Sequence, residues 1–310
     1  MSSSTPGDAP CFEDAARDFM RYVEGVRGLS PQTCRAYRQH VEAYGRWCQR
    51  IHVNPLAPTV RDLRAYLGDL HAARYSKRTM AAHLSAVRSF FRWLVAEGLT
   101  DADPASALMT PKIDRRLPAT LTVDEVDRLL ATPDTACAEG VRDACMLELF
   151  CATGARISEL AGLTVDSIDT GEGTVRLFGK GSKERIVPVY PRALEVYGSY
   201  VAQARVELLA AHRGADPHVQ ALFISRQGKP MDAAALRYRF RKLARAAGLP
   251  PDITPHTMRH TFATELVEGG ADLRSVQELL GHASLSTTQL YTHLAPEALR
   301  NAVHRAHPRG

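Results

Sequence analysis

A proline-rich break divides the chain into two stretches that we expect to fold as separate domains. Residues 98–118, GLTDADPASALMTPKIDRRLP, hold three prolines and show no hydrophobic periodicity. Proline lacks a backbone donor and clashes with the preceding turn, so regular elements rarely continue through such a segment. We therefore predict a linker at 99–117, an N-terminal domain at 9–98 and a C-terminal domain at 118–304. A length of 310 residues fits two domains.

Four helical patterns fill the N-terminal domain. In the second, Ser30 and Pro31 are a typical start signal, and apolar residues then recur every three or four positions. The fourth begins at Ser76 and stops at Gly98. The apolar faces of these two helices predict core positions at Cys34, Tyr37, Val41, Tyr44, Cys48, Ile51, Met80, Leu84, Val87, Phe91 and Leu94.

The C-terminal domain is mainly helical with one hairpin signal. TVRLFGKGSKERIVPV predicts two short strands around a Gly-Lys-Gly-Ser turn, which is too little strand for a parallel α/β sheet. The fold class is therefore mainly α with a small β-hairpin or sheet, as a four-helix domain followed by an α+β domain. Helices are predicted at LTVDEVDRLL, GVRDACMLELFCATG, 191–212, 232–247, 255–268, 272–280 and 286–304.

Composition excludes several classes of protein. The six cysteines contain no CxxC pair and indicate a reducing compartment rather than a disulfide framework. The N-terminus, MSSSTPGDAP, has no basic or apolar region typical of a signal peptide. No apolar run approaches the roughly 18 residues that span a bilayer. We expect a cytoplasmic protein without a membrane partner.

Positive charge is concentrated in the N-terminal domain. Between residues 27 and 97, twelve Lys/Arg face four acidic residues, a surplus of eight, whereas the whole chain carries only +5. Such a surplus suits a nucleic-acid backbone, although a solvated helix surface would look the same. The polar faces of the fourth helix supply the DNA-binding candidates Lys77, Arg78, Arg88 and Arg92.

Two arginines are candidates for binding a phosphate. Arg156, in TGARISEL, is costly among apolar residues unless it meets an anion or a carboxylate, and Glu159 is a plausible orienting partner one turn on. In ITPHTMRH, His256 and Arg259 share a face at a helix N-terminus, where free N–H groups favour a phosphate. The spacing of His256 and His260 also suits zinc, but Thr257 stands where the zincin motif needs a glutamate. We predict neither a metal nor a cofactor.

Three further residues complete the candidate set. Lys180 lies between glycines in the hairpin turn, where it could protonate a leaving oxygen, and Lys183 and Arg185 beside it are candidates for DNA backbone contacts. His282 and Tyr291 follow in GHASLSTTQLYTH; alone, each is more often a packing residue. Together the set suits transesterification at a DNA phosphodiester by a tyrosine nucleophile, with two guanidinium groups stabilising the phosphate charge.

At these residues the sequence resembles the tyrosine recombinase (phage integrase) family, whose pattern is Arg…Lys…His-x-x-Arg…His…Tyr with an acidic residue three positions after the first arginine. Within that family the chain is similar to the bacterial Xer recombinases, and to their XerC branch in particular, through VRDACMLELF, DLRSVQELLGH and AHPR. The choice between XerC and XerD stays open. The N-terminal segment resembles the family's SAM-like core-binding domain.

The resemblance implies roles and partners. Arg156 and Arg259 would hold the scissile phosphate with His282, and Glu159 would orient Arg156. Tyr291 would form a 3′-phosphotyrosyl link, while Lys180 acts as the acid and His256 tunes the phosphate or serves as the base. The partners would be double-stranded DNA at a dif-type site, a XerD-like recombinase in a heterotetramer and a septal DNA translocase. Alternatives are a mobile-element integrase, a type IB topoisomerase and a catalytically silent architectural protein.

Overall fold

The computed structural model describes residues 11–111, 120–179 and 184–281, except 213, 215 and 217. These residues divide into two compact units, the first up to residue 111 and the second from residue 120. Each unit has its own cluster of buried apolar side chains. The mainly helical fold class with a small sheet is confirmed.

The N-terminal unit consists of α1 (Phe12–Gly25), α2 (Pro31–Arg50), α3 (Val60–Ala72) and α4 (Lys77–Ala96). The predicted starts of α2 and α4 are confirmed, because Ser30 and Ser76 each accept the backbone N–H of the third following residue. A side-chain oxygen at this position satisfies one of the donors that a helix start leaves unpaired. The described part of the unit buries ten of the eleven predicted core residues at least partly; Ile51, just past the end of α2, is exposed.

The first part of the predicted linker belongs to the N-terminal unit. Ala105 and Leu108 are buried in its core. Arg88 holds this segment in place by donating to the carbonyl oxygen of Ala105 at 3.1 Å, to Thr110 Oγ1 at 2.8 Å and to the carbonyl oxygen of Leu108. A local pattern of prolines could not reveal this packing, because the stabilising contacts come from a residue about twenty positions earlier in the chain.

The second unit begins with helices. They are α5 (Val123–Leu130), α6 (Ala138–Thr153) and the short α7 (Ile157–Ala161). Helix α6 is buried on nearly every side, and its predicted core residues Met146, Leu149 and Phe150 are confirmed. It ends at Gly154, whose φ of 53° is the left-handed conformation that favours glycine.

A three-stranded antiparallel sheet follows, with strand order β1 (Ile168–Asp169), β2 (Thr174–Phe178) and β3 (Glu184–Pro188). The predicted hairpin is confirmed as β2 and β3, with Val175 opposite Val187. Alternate residues of these two strands point into the core, as the period of a β-strand requires. Strand β1 has only two residues and therefore left no detectable alternation in the sequence.

Helices complete the unit. They are α8 (Pro191–Ser199), a π-helical turn (Tyr200–Ala204), α9 (Arg205–Ala210), α10 (Ala233–Ala246), α11 (Pro255–Glu268) and α12 (Leu273–Leu280). The four predicted helices up to residue 280 are thus confirmed, and the predicted helix at 286–304 lies outside the described residues. None of the helices in the described part of the chain is long and apolar enough to cross a lipid bilayer.

Candidate active site

Arg156 stands at the start of α7, two residues after the turn at Gly154. Its Nη1 donates to Glu159 Oε1 at 2.8 Å, and its backbone N–H donates to Glu159 Oε2 at 2.7 Å. The predicted pairing of these two side chains is therefore present. The side chain of Arg156 is 42% exposed, whereas that of Glu159 is 3% exposed. The carboxylate thus orients the guanidinium from behind and leaves part of it open to a ligand.

His256 and Arg259 lie in the first turns of α11. Thr254 caps this helix by accepting the N–H of Thr257, and Pro255 occupies the first helical position, as predicted. Arg259 is buried and donates from Nη1 to the carbonyl oxygen of Gly154 at 2.8 Å. Burial lowers the pKa of Arg259 to about 10, and repulsion from Arg156 adds to the effect. The group nevertheless stays cationic at neutral pH, and its low-dielectric surroundings strengthen its attraction for an anion.

The three predicted residues meet at one cavity of about 250 Å³. Arg156, His256 and Arg259 line it together with Arg237 and Arg241 from α10. Four guanidinium groups and a histidine therefore surround the cavity, and its described lining includes no carboxylate. This composition favours a phosphate over a metal cation.

Sequence reasoning missed Arg237 and Arg241. Their spacing places them on one helix face, but RYRFRK offers several cations and no local sign of which ones line a site. Arg239, between them, has a different role, because its Nε donates to the buried Asp143 at 2.9 Å. Only the packing of α10 separates cavity-lining arginines from structural ones.

The prediction that Arg185 contacts the DNA backbone is contradicted by its position. Its side chain is 4% exposed, and its guanidinium forms two hydrogen bonds with Glu159, at 3.0 and 2.7 Å. Burial raises the pKa of Glu159, but hydrogen bonds from Arg185 and Arg156 outweigh burial, so the pKa lies below its usual value. A carboxylate with two cationic partners stays charged and can orient Arg156 throughout the neutral range.

Three arginines hold the C-terminal end of α12. The carbonyl oxygens of its last residues and of Gly281 accept from Arg185, Arg259 and Arg156. These carbonyls have no partner within the helix and carry its negative dipole end, so cations stabilise them. Gly281 directly precedes His282 in the sequence. The two phosphate-binding candidates therefore also contact the helix that leads to His282.

Four predicted residues, Lys180, Lys183, His282 and Tyr291, lie outside the described residues, and their roles stay predictions.

On α4, the side chains of Lys77, Arg78 and Arg92 are exposed, as a DNA-binding face requires. Arg88 is different, because it is partly buried and makes three contacts with residues 105–110, which give it a structural role; its DNA contact stays a prediction.

The zinc alternative finds no further support in the described ranges. No three His, Cys, Asp or Glu side chains there come together in a way that could hold a metal ion. His256 lines a cavity rich in guanidinium groups, and such a charge opposes the binding of a cation.

The second unit thus combines helices, a small antiparallel sheet and a cationic cavity whose guanidinium groups suit an anion such as phosphate. The sequence matches the phage integrase family over residues 119–298 and the phage integrase N-terminal SAM-like domain over residues 16–98. The chain therefore belongs to the phage integrase family and is a tyrosine recombinase of the Xer type.

Two relatives match along nearly their whole length. Tyrosine recombinase XerD of Staphylococcus aureus is 39% identical over 299 residues, which are 96% of this chain and 100% of that protein. Tyrosine recombinase XerD of Staphylococcus saprophyticus is 38% identical over 293 residues, 94% of this chain and 98% of that protein. Both bear the name XerD, so the predicted XerC branch is not supported by these relatives.

Two solved structures share the fold. XerH recombinase bound to a palindromic difH substrate has a TM-score of 0.69 at 21% identity, covering 93% of this chain and 84% of that one. A lambda integrase tetramer bound to a Holliday junction has a TM-score of 0.69 at 20% identity, covering 92% of this chain and 77% of that one. At such identities the likeness concerns the fold alone.

Proposed function

We propose that this protein is a site-specific recombinase that cuts and rejoins DNA through a 3′-phosphotyrosyl intermediate, with Tyr291 as the nucleophile. One observation carries the proposal: Arg156 lines a single cationic cavity together with His256 and Arg259, which follow it by about 100 residues in the sequence. This is the arrangement needed to bind a scissile phosphate and stabilise the charge that builds on its non-bridging oxygens.

The chemistry follows from these charges. The hydroxyl oxygen of Tyr291 attacks the phosphorus, its bond to phosphorus forms, and the bond to the 5′ oxygen breaks. His256 takes the tyrosine proton, and Lys180 gives a proton to the departing 5′ oxygen. Arg156 and Arg259 hold the phosphate throughout. Because one phosphoester replaces another, the reaction can run backwards and rejoin the DNA.

DNA binding is supported by both units. Arg237 and Arg241 extend the cationic cavity beyond the pair that would clamp the scissile phosphate. The exposed cations of α4 supply positive charge on the N-terminal unit. Such groups neutralise neighbouring phosphates and release counterions, so affinity should fall steeply with salt.

We further infer that the protein acts with a second Xer recombinase in a heterotetramer that resolves chromosome dimers at a dif-type site. We infer that a septal DNA translocase regulates this reaction and that the protein is cytoplasmic. The sequence predicted a XerC role with a XerD-like partner. The XerD names of the two relatives support the opposite assignment, with a XerC-like partner. The test measures strand cleavage with a XerC-like or a XerD-like partner, on a site labelled on one strand at a time. The strand that this protein cuts with each partner distinguishes a XerC role from a XerD role.

Covalent trapping tests the reaction. The protein is mixed with a nicked duplex carrying a dif-type site, with and without the partner, and run under denaturing conditions. We expect an adduct that disappears in Tyr291→Phe. The matched control is Tyr238→Phe, which changes an exposed tyrosine on α10 and should keep the adduct. An adduct that survives in Tyr291→Phe would identify another nucleophile. Binding without any adduct would favour an architectural protein.

A further inference from the structure

Arg185 makes an unusual set of contacts for a residue beside a predicted DNA-binding turn. Its Nη1 and Nη2 donate to the two carboxylate oxygens of Glu159, and its Nε donates to the carbonyl oxygen of Leu279 at 2.6 Å. A guanidinium matches a carboxylate in this two-point manner and fixes its orientation more strictly than an ammonium group does.

These contacts join three separate segments of the proposed active site. Glu159 in turn holds Arg156 through its side chain and its backbone N–H. Leu279 belongs to the last turn of α12, two residues before Gly281 and three before His282. Arg185 itself lies on β3, which begins four residues after Lys180. One buried side chain thus connects the strand after the hairpin turn, the start of α7 and the end of α12.

We propose that Arg185 is a positioning residue for strand cleavage, which sets the guanidinium of Arg156 and the end of α12 in their places relative to the bound phosphate. The inference rests on the proposed recombinase function and names a further residue that this reaction needs. Arg185 acts through Glu159 and α12, since its side chain is only 4% exposed and its guanidinium already binds Glu159 and Leu279.

The charge balance around Glu159 explains why arginine is needed there. The charged groups that face this carboxylate are Arg156 from α7, Arg185 from β3 and Arg259 from α11. The end of α12 adds only carbonyl oxygens, which Arg185, Arg259 and Arg156 occupy. Burial raises the pKa of Glu159, and the hydrogen bonds from Arg185 are the main cause that lowers it. Without Arg185, the pKa of Glu159 would therefore rise. A protonated Glu159 would hold Arg156 less firmly.

The test compares single-turnover adduct formation on the nicked substrate for wild type, Arg185→Gln and Arg185→Lys. We expect Arg185→Gln to lower the cleavage rate roughly 100-fold, the order expected for misplacing a catalytic group by about 1 Å. The affinity for DNA should stay nearly unchanged. The cleavage rate of Arg185→Gln relative to wild type should fall further as the pH is lowered, because loss of Arg185 raises the pKa of Glu159. Arg185→Lys keeps the charge and should lower the rate without this added pH dependence.

Arg205→Lys is the matched control. Arg205 is a buried arginine of the same unit that donates to the carbonyl oxygens of Val219 and Ala221, away from the cavity. The Arg205→Lys variant should be less stable than wild type, but its folded fraction should cleave DNA at the wild-type rate. If Arg185→Gln fails to fold, Arg185→Lys decides, and an unchanged cleavage rate in that variant overturns the proposal.

Other outcomes also discriminate. A rate of Arg185→Gln that drops equally at every pH, in proportion to its loss of folded protein, would show a merely structural role. A loss of DNA affinity with a shallower salt dependence would make Arg185 a DNA contact. If wild type forms an adduct and the Arg185 variants match it, only this inference fails. If wild type forms none with either partner, the proposed function fails and this inference with it.

Discussion

Gly154→Ala should lower the stability of the second unit more than the addition of one methyl group suggests. Gly154 has a φ of 53°, and a Cβ added there would lie 2.2 Å from Cδ1 of Phe262. Its carbonyl oxygen also accepts the hydrogen bond from Arg259. Phe262 follows Arg259 by three residues on α11, so a displaced ring would shift the turn that carries the guanidinium of Arg259.

The magnitude separates into two parts. A left-handed backbone costs alanine about 1–2 kcal/mol relative to glycine. Overpacking against a buried ring adds about 1–3 kcal/mol. Gly248→Ala isolates the first part, because Gly248 has a φ of 70° and nothing within 4 Å of its added Cβ. Gly154→Ala should therefore be about 1–3 kcal/mol less stable than Gly248→Ala.

Differential scanning calorimetry measures this difference. For a unit of this size we expect the two melting temperatures to differ by about 2–12 °C, at about 2–4 °C for each kcal/mol. Both tryptophans, Trp47 and Trp93, lie in the N-terminal unit. An unfolding transition without a change in tryptophan fluorescence therefore belongs to the second unit. Equal melting temperatures for the two variants would refute the argument that Phe262 leaves no room at position 154.

Three further outcomes are expected. Arg156→Ala should abolish the covalent adduct yet keep most DNA affinity, since affinity comes from many phosphate contacts; loss of binding with the fold intact would contradict its catalytic role. Arg241→Gln should make the salt dependence of DNA binding shallower by about one unit in a log–log plot, and Arg192→Gln, a cation paired with Glu195 on α8, should not. Burial, aided by the charge of His40, lowers the pKa of His83 to about 4, so the unfolded state binds a proton first as pH falls. The N-terminal unit should thus be fully stable above about pH 6.5 and lose up to about 3 kcal/mol between pH 6.5 and pH 4, as followed by tryptophan fluorescence in urea; an equal loss in His83→Gln would contradict this assignment.

The sequence by itself determined the elements of this protein. Helix periodicity, the caps at Ser30, Ser76 and Thr254, and the hairpin signal at 174–188 are local features, because they depend on residues within one or two turns of each other. The sequence also predicted that Arg156, His256 and Arg259 bind a phosphate, because guanidinium groups and the free N–H groups of a helix start favour anions.

Tertiary structure decided which cations serve which purpose. Arg88 and Arg185 read as DNA contacts in the sequence, yet Arg88 holds residues 105–110 and Arg185 holds Glu159 and α12. The sequence pattern did not predict Arg237 and Arg241 as site residues, yet they line the cavity. An arginine has the same charge wherever it lies, and only the burial and the acceptors around its guanidinium assign its role. Leu279, an acceptor of Arg185, lies 94 residues away in the chain, where no local pattern reaches.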